Sequence, residues 1–164
     1  MTVRIRLVEP DTWERVRELR LRALADSPDA FGARYEDEVG YGQAEVRAWI
    51  TGWEGTRNAM AVAEVGEAWV GIAVGSRSGE ELDAHLYAMW VDPAWRRHGI
   101  GARLVEEVLS WARSWGARAV VLGVTQGNDA ERFYERLGFR DTGERYALRE
   151  GSELRVLVLR YGLT

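Results

Sequence analysis

Residues 90–101 read "WVDPAWRRHGIG". They stand between an apolar segment, "LDAHLYAMWV" at 82–91, and a stretch in which Leu104, Val105, Val108, Leu109, Ala112 and Trp115 recur every three or four residues until Gly116. The first segment predicts a strand and the second an amphipathic helix that Gly116 stops. A plain connection between them needs no proline turn, paired arginines or two glycines one residue apart. An anion cradle does. The first turn of a helix leaves backbone N–H groups unpaired and carries the positive end of the macrodipole, and glycines let a phosphate approach the main chain. Arg96 and Arg97 would add full charges beside it. No Lys-Ser/Thr pair accompanies the glycines and no G-x-G-x-x-G is present, so the turn is neither a P-loop nor a dinucleotide fingerprint.

Outward from this turn, strand-like and helix-like stretches alternate. "VRIRLV" at 3–8 sets Val3, Ile5 and Leu7 against Arg4 and Arg6, the pattern of a half-buried strand. "PDTWERVRELRLRAL" at 10–24 predicts a helix that Asp11 and Glu14 would cap. "ADSPDAFGARYEDEVGYG" at 25–42 is rich in turn-forming and acidic residues and predicts a long loop with a short helical turn, before a second helix near 43–53. "NAMAVAEV" and "AWVGIAVG", joined across Gly66 and Glu67, predict a hairpin. The mostly apolar 82–91 strand is expected to be covered on both faces. "RAVVLGV" at 118–124 predicts a short buried strand, and "NDAERFYERLGF" at 128–139 a helix capped by Asn128 and Glu131 and ended by Gly138. Two more strand candidates follow.

Length and composition bound the function. The chain has 164 residues, which suits one domain, 1–164, whose folding hides roughly 68–70% of its unfolded surface. Hydrophobic residues make up 46% and charged residues 29%, ordinary globular usage. No apolar run approaches the ~20 residues of a transmembrane helix, and "MTVRIRLVEP" lacks the apolar core of a signal peptide, so a cytoplasmic protein with no membrane partner is expected. The absence of cysteine removes disulfides, thiolate ligands and a cysteine nucleophile, and with only His85 and His98 no metal cofactor is expected. The net charge of −4 argues against nucleic acid as a partner.

"RRHGIG" at 96–101 resembles [QR]-x-x-G-x-[GA], the pyrophosphate loop of the GNAT superfamily of acyl-CoA-dependent N-acyltransferases. "LYAMWVDPAW" is similar to that family's fourth strand and the turn after it. "NDAERFYERLGF" resembles its N-x-x-A-x-x-F-Y-x-x-x-G-F helix, with Ala130 one place early. The two segments lie in order within residues 82–139, separated by a helix and a strand. The first half, "LRLRALADSPDAFG" at 19–32, is similar to small bacterial members of the family, a likeness with less defined chemistry.

The resemblance implies an α/β fold with a mixed, mostly antiparallel sheet of about seven strands, split between strands 4 and 5 and flanked by helices. It implies acetyl transfer from acetyl-CoA to a primary amine of a small molecule or peptide, by direct attack in a ternary complex. The alternative is a non-catalytic acyl-CoA-sensing module of the same fold. The pyrophosphate falls to backbone N–H groups of Arg96, Arg97, His98, Gly99, Ile100, Gly101 and Ala102, and the pantetheine arm to main-chain groups of Met89, Trp90 and Val91. Asn128 matches a CoA-contacting asparagine, although helix capping explains it equally well. Tyr134 is the implied general acid near the CoA sulfur. The base is His85, where some members carry a glutamate, or one of its neighbours Glu81 and Asp83. Acidic residues, Glu36, Asp37 and Glu38 in the long loop and Glu80, Glu81 and Asp83 further on, would favour a cationic acceptor or else face solvent. Trp49, Trp53, Trp90 and Trp95 suit an acceptor pocket or a homodimer interface, with core packing the plainer role for most tryptophans.

Overall fold

The structure, a computed structural model, describes residues 2–163; Met1 and Thr164, the ends of the expected 1–164 domain, lie outside the described residues. In chain order the elements are β1 (Val3–Leu7), α1 (Trp13–Asp26), α2 (Tyr35–Glu38), α3 (Gln43–Thr51), β2 (Thr56–Val65), β3 (Ala68–Ser78), β4 (Asp83–Val91), α4 (Ile100–Ser114), β5 (Ala119–Thr125), α5 (Ala130–Leu137), β6 (Arg140–Ala147) and β7 (Arg155–Gly162). The strands form one seven-stranded sheet in the order β1-β2-β3-β4-β5-β7-β6. Every neighbouring pair is antiparallel except β4 and β5, which are parallel because α4 carries the chain back between them. This is the mixed, split α/β sheet that the sequence resemblance implies. No described helix is long and apolar enough to cross a membrane.

The alternation of side chains along β2 and β3 divides the core in two. Ala61, Ala63, Ala73, Ala84, Leu86, Val120 and Leu122 face α4, which contributes Leu104, Val105, Val108 and Ala112. Val62, Ile72, Val74 and Trp69 face the other way and pack with Val16, Leu19 and Leu24 of α1 and Val46 and Ile50 of α3. Small residues bring α4 close. A Cβ on Gly75 would lie 2.8 Å from Trp111 Cε3 and 3.0 Å from Val108 Cγ1, so only glycine fits beneath that turn.

Three expectations differ from the observed fold. Asp11 and Glu14 do not cap α1: Pro10 opens a 3₁₀ turn at residues 10–12, and Thr12 enters the helix with its hydroxyl donating to the Glu9 carbonyl at 2.8 Å. Leu7 does not share the burial of Val3 and Ile5, being 47% exposed at the end of the edge strand. β4 is covered on both faces only from Ala88 on, where Ala88 and Trp90 pack on one side and Met89 and Val91 on the other; before that Ala84 and Leu86 are buried whereas His85 is open and Tyr87 partly so.

Gly75→Ala should lower stability by about 1–3 kcal/mol, the usual effect of overpacking, measured by urea unfolding. Full stability would show that α4 can slide on the sheet.

Candidate active site

The pairing of β4 with β5 stops early. It covers only Asp83–Leu86 against Ala119–Leu122, while β4 continues along β3 to Val91 and β5 along β7 to Thr125. Beyond Leu86 the two strands open a wedge, and residues 87–91 have β3 on one edge and no strand on the other. Within this stretch Ala88 takes a left-handed φ of 55°, and the register with β3 shifts between Ile72 and Val74. The bulge changes which face each later side chain takes. Met89 and Val91 pack toward α4, while Trp90 turns to α1.

The turn after β4 is built by local chemistry. Asp92 Oδ1 accepts the Ala94 N–H at 2.9 Å to start a 3₁₀ turn at Pro93–Trp95. Arg97 (φ 66°) and Gly99 (φ 76°) then adopt left-handed conformations that aim the chain into α4. The first helical bond runs from the Arg103 N–H to the Gly99 carbonyl at 3.3 Å, which leaves the N–H groups of Gly99, Ile100, Gly101 and Ala102 without helical partners. Ile100, 1% exposed, pins the first turn to the core. A Cβ on Gly101 would lie 3.1 Å from both Met89 Cε and Phe133 Cζ. That glycine therefore lets α4, the free edge of β4 and α5 meet around one opening.

The two arginines have separate roles. Arg96 does not hold its charge free for an anion: its Nε donates to the Val91 carbonyl and its Nη2 to Asp26 Oδ2, both at 2.9 Å. Arg97 is exposed, with no ion-pair partner among the described residues. His98 is exposed too, but its ring lies on its own loop, with Nδ1 2.8 Å from the Arg96 carbonyl.

On α5, Asn128 Oδ1 accepts the Ala130 N–H at 2.9 Å, so the side chain caps the helix while its amide nitrogen stays uncommitted. The Glu131 side chain takes no part in the cap. Tyr134 is 6% exposed, stacked edge-on with Phe133 and Phe139, and burial raises its phenol far above the ordinary value. Phe133, not Tyr134, is the ring that meets Gly101.

The opposite face of the wedge carries side chains rather than backbone. His85 Nε2 lies 3.0 Å from Glu81 Oε2, and both are open to solvent. Asp83 is committed to Arg118, which donates to both its oxygens at 3.0 and 3.2 Å and holds its carboxyl below the ordinary value. Two residues past His85, Tyr87 faces a pocket of about 240 Å³ between β4, α1, α2 and α3, whose walls include Arg17, Arg20, Glu38, Trp49 and Trp53. Tyr87 is absent from the sequence-based candidates, yet its place two residues from His85 puts it on the same strand face. Its hydroxyl accepts from Trp49 Nε1 at 2.7 Å and Asn58 Nδ2 at 3.2 Å, and burial raises its phenol despite these bonds.

Of the four tryptophans considered, only Trp49 and Trp53 line this pocket. Trp90 is core, and Trp95 packs against the core beside His98. Glu36 and Asp37 flank a separate surface hollow beside Arg34 and Arg149. Glu38 is not available to a cationic acceptor, because Arg20 occupies both its oxygens at 3.0 and 3.1 Å.

Asp26, the last residue of α1, ties the two faces together. Its carboxylate accepts from Trp90 Nε1 at 2.9 Å, from Arg96 at 2.9 Å and from Ser27 at 2.7 Å. Burial alone would raise its carboxyl, but these bonds outweigh it and hold the group below the ordinary 3.8. The stabilisation is therefore complete above that ordinary value and is lost as pH falls through the lower folded-state value. The stability gap between wild type and Asp26→Asn, measured by urea unfolding, should shrink from pH ~7 to pH ~2. A gap that stays constant would remove Asp26 from this role.

Comparison with known proteins agrees with this geometry. The sequence matches the acetyltransferase (GNAT) family over residues 10–139. An uncharacterised N-acetyltransferase of Mycobacterium tuberculosis is 40% identical over 68 residues, 41% of this chain and 44% of that protein. The match thus spans less than half of the relative's length. An uncharacterised N-acetyltransferase of Methanocaldococcus jannaschii is 37% identical over 59 residues, 35% of this chain and 26% of that protein. Among solved structures, a GNAT acetyltransferase of Streptococcus pneumoniae superposes with a TM-score of 0.81 at 19% identity, covering 99% of this chain and all of that one. The yncA protein of Salmonella typhimurium, solved with its cofactor acetyl-CoA, gives 0.80 at 20% identity, covering 100% and 95%. At these identities the structural likeness speaks for the fold. The family match, over most of the chain and across both the glycine turn and α5, makes this protein a member of the GNAT acetyltransferase family.

Proposed function

We propose that the chain is a single-domain, cytoplasmic N-acetyltransferase that moves an acetyl group from acetyl-CoA to a primary amine of a small molecule or peptide, by direct attack. What carries this reading is one arrangement: unpaired helix N–H groups and a free strand edge on one side of the wedge, and a side-chain pocket on the other. Acetyl-CoA, when bound, supplies an acetyl group already activated as a thioester. The chain then has to bind, orient and move protons. We assign no step to a metal and leave a homodimer as a further part of the proposal.

The N–H groups from Arg97 to Ala102 form the pyrophosphate cradle, and the turn's geometry suits them to it better than a surface of lysines would, because main-chain donors need no side-chain ordering. Arg96 serves by position: bonded to Asp26 and Val91, it braces the turn. The free edge at Met89, Trp90 and Val91 is assigned to the pantetheine arm, and an N–H there to the charge developing on the carbonyl oxygen. The uncommitted Asn128 amide offers a further donor. Tyr134 is assigned as general acid, since a phenol holds its proton at neutral pH already at its ordinary value and burial does not change that. His85, bonded to Glu81 in the manner of an oriented base, removes the proton from the amine. Asp83 suits that task less, being held ionised by Arg118.

Thiol release from acetyl-CoA across an amine panel, beside calorimetry with acetyl-CoA, tests the reading. Binding without turnover of any amine would make the chain a sensing module. Gly99→Glu places a negative charge at the cradle where a Cβ meets nothing within 4 Å. It should weaken acetyl-CoA binding by about tenfold or more, and Gly99→Ala, with the same left-handed backbone but no charge, should lose much less. Equal affinities would remove the cradle.

His85→Gln should slow transfer by ~10²–10⁴-fold, erase the limb of the pH–rate profile that histidine supplies, and spare acetyl-CoA affinity. Should the limb survive there and vanish in Glu81→Gln, the base is the carboxylate.

A further inference from the structure

The pocket at Tyr87 has a polarity that the family assignment does not explain. Arg17 and Arg20, three residues apart on α1, both line it. Arg20 is 8% exposed, and its guanidinium lies 5.1 Å from the Phe31 ring and 5.3 Å from the Trp49 ring. Nε and Nη2 hold Glu38 side-on, while Nη1 is buried and has no hydrogen-bond partner. Arg17 donates from Nε to the Tyr41 carbonyl at 2.8 Å and from Nη2 to the Val39 carbonyl, which leaves its Nη1 uncommitted. These partners are neutral, and no carboxylate lies within ion-pair distance of Arg17 among the described residues.

Of the two acids that line the pocket, one is paired with a cation and the other, exposed, caps a helix. Both Glu38 oxygens belong to Arg20, and Glu45 Oε2 accepts the Gly42 N–H at 3.0 Å to cap α3. Tyr87, accepting two hydrogen bonds, still has its own O–H to give. What the inner walls leave unmet is thus donors, Arg17 Nη1, Arg20 Nη1 and the Tyr87 O–H, the first two on cations. A volume of about 240 Å³ holds roughly eight waters at ~30 Å³ each, enough for an amino acid.

We propose that this pocket takes an acceptor amine that also carries a carboxylate, an amino-acid-sized molecule, with Arg17 and Arg20 as its anchor. The inference rests on reading the pocket as the acceptor site of the transferase. The carboxylate enters against Arg17 Nη1, which is free. The Nη1–Nη2 end of Arg20 presents the second pair of donors in the fork geometry that suits a planar carboxylate, once the wall over Nη1 yields. The amine end then points along Tyr87 toward the wedge.

The test uses the full chain with acetyl-CoA and matched acceptors that differ only in the carboxylate: leucine against 3-methylbutylamine, and phenylalanine against 2-phenylethylamine. The carboxylated member of at least one pair should have a kcat/KM about tenfold or more above its partner. Arg17→Gln should cut that preference by raising KM at unchanged kcat. The double variant Arg20→Gln with Glu38→Gln, which leaves no buried charge alone, should abolish it, while acetyl-CoA affinity by calorimetry stays at the wild-type value.

Equal or better turnover of the plain amines, or a preference that survives both variants, would overturn the anchor and leave the transferase reading standing. If no amine turns over, calorimetry with the amino acids separates the two ideas: binding that the variants abolish sustains the anchor and sinks the catalysis. No binding overturns the anchor as well.

Discussion

Everything specific about this molecule follows from the point at which β4 leaves β5. Two parallel strands that pair for four residues and then part create backbone groups with no ladder partner, and buried groups of that kind must be satisfied some other way. The chain answers locally at one of them. The Val91 carbonyl, at the end of the free edge, receives the Arg96 guanidinium, so the first residue of the glycine turn is fastened to the strand it follows. The bulge at Ala88 settles the rest, since it sends Met89 toward α4, where it meets Gly101, and Trp90 toward α1, where it meets Asp26. Without that bulge the strand would alternate regularly, and these contacts would fall on the wrong faces.

Asp26 gives the segment "LRLRALADSPDAFG" a physical meaning. Its aspartate braces Trp90 and Arg96, its Arg20 lines the pocket against Phe31, and the carbonyls of Pro28, Phe31 and Gly32 are gripped by Arg149 from the connection between β6 and β7. Thr125, at the end of β5, adds a bond to the Asp29 carbonyl at 2.6 Å. The loop after α1 is thus tied down by the far half of the sheet, on the side of the wedge away from β4. A stretch whose sequence predicts a long loop is fixed by six bonds to its carbonyls and its last helical carboxylate.

The part of the site assigned to acetyl-CoA in the proposal is legible in the sequence because it is made of backbone. Backbone donors need a turn, and turns are written in Pro93, Gly99 and Gly101, residues whose conformational limits show without any tertiary information. The same holds for the hairpin at Gly66 and the helix stops at Gly116 and Gly138, each with a positive φ. The pocket proposed for the acceptor is not legible, because it is assembled from α1, α2, α3 and β4, and periodicity shows only that these elements exist. Tyr87 carries no signal there and Glu38 reads as an acid facing an acceptor or solvent, since nothing near either residue in sequence announces Trp49, Asn58 or Arg20. The Arg96 side chain shows the same limit. Its position beside the glycines suggests a phosphate, and nothing nearby in sequence announces the carboxylate it bonds, which lies 70 residues away.

The Arg20–Glu38 pair is the least expected feature of this half. Removing two charges from water is expensive, and the mutual attraction often does no more than offset it, so apolar residues of similar size can serve stability as well or better. Stability therefore does not account for a guanidinium that lies between two aromatic rings with one nitrogen unpartnered. Position does. The pair fastens a helix of four residues, too short to hold its own conformation, to α1 at the rim of the pocket. Both its charges reach the Tyr87 phenol, the Arg20 cation opposing the effect of burial there and the Glu38 carboxylate adding to it. An element that shapes the pocket wall and biases the polarity of its inner end would be placed here, by the opening between β4 and β5, and nowhere else in the sheet.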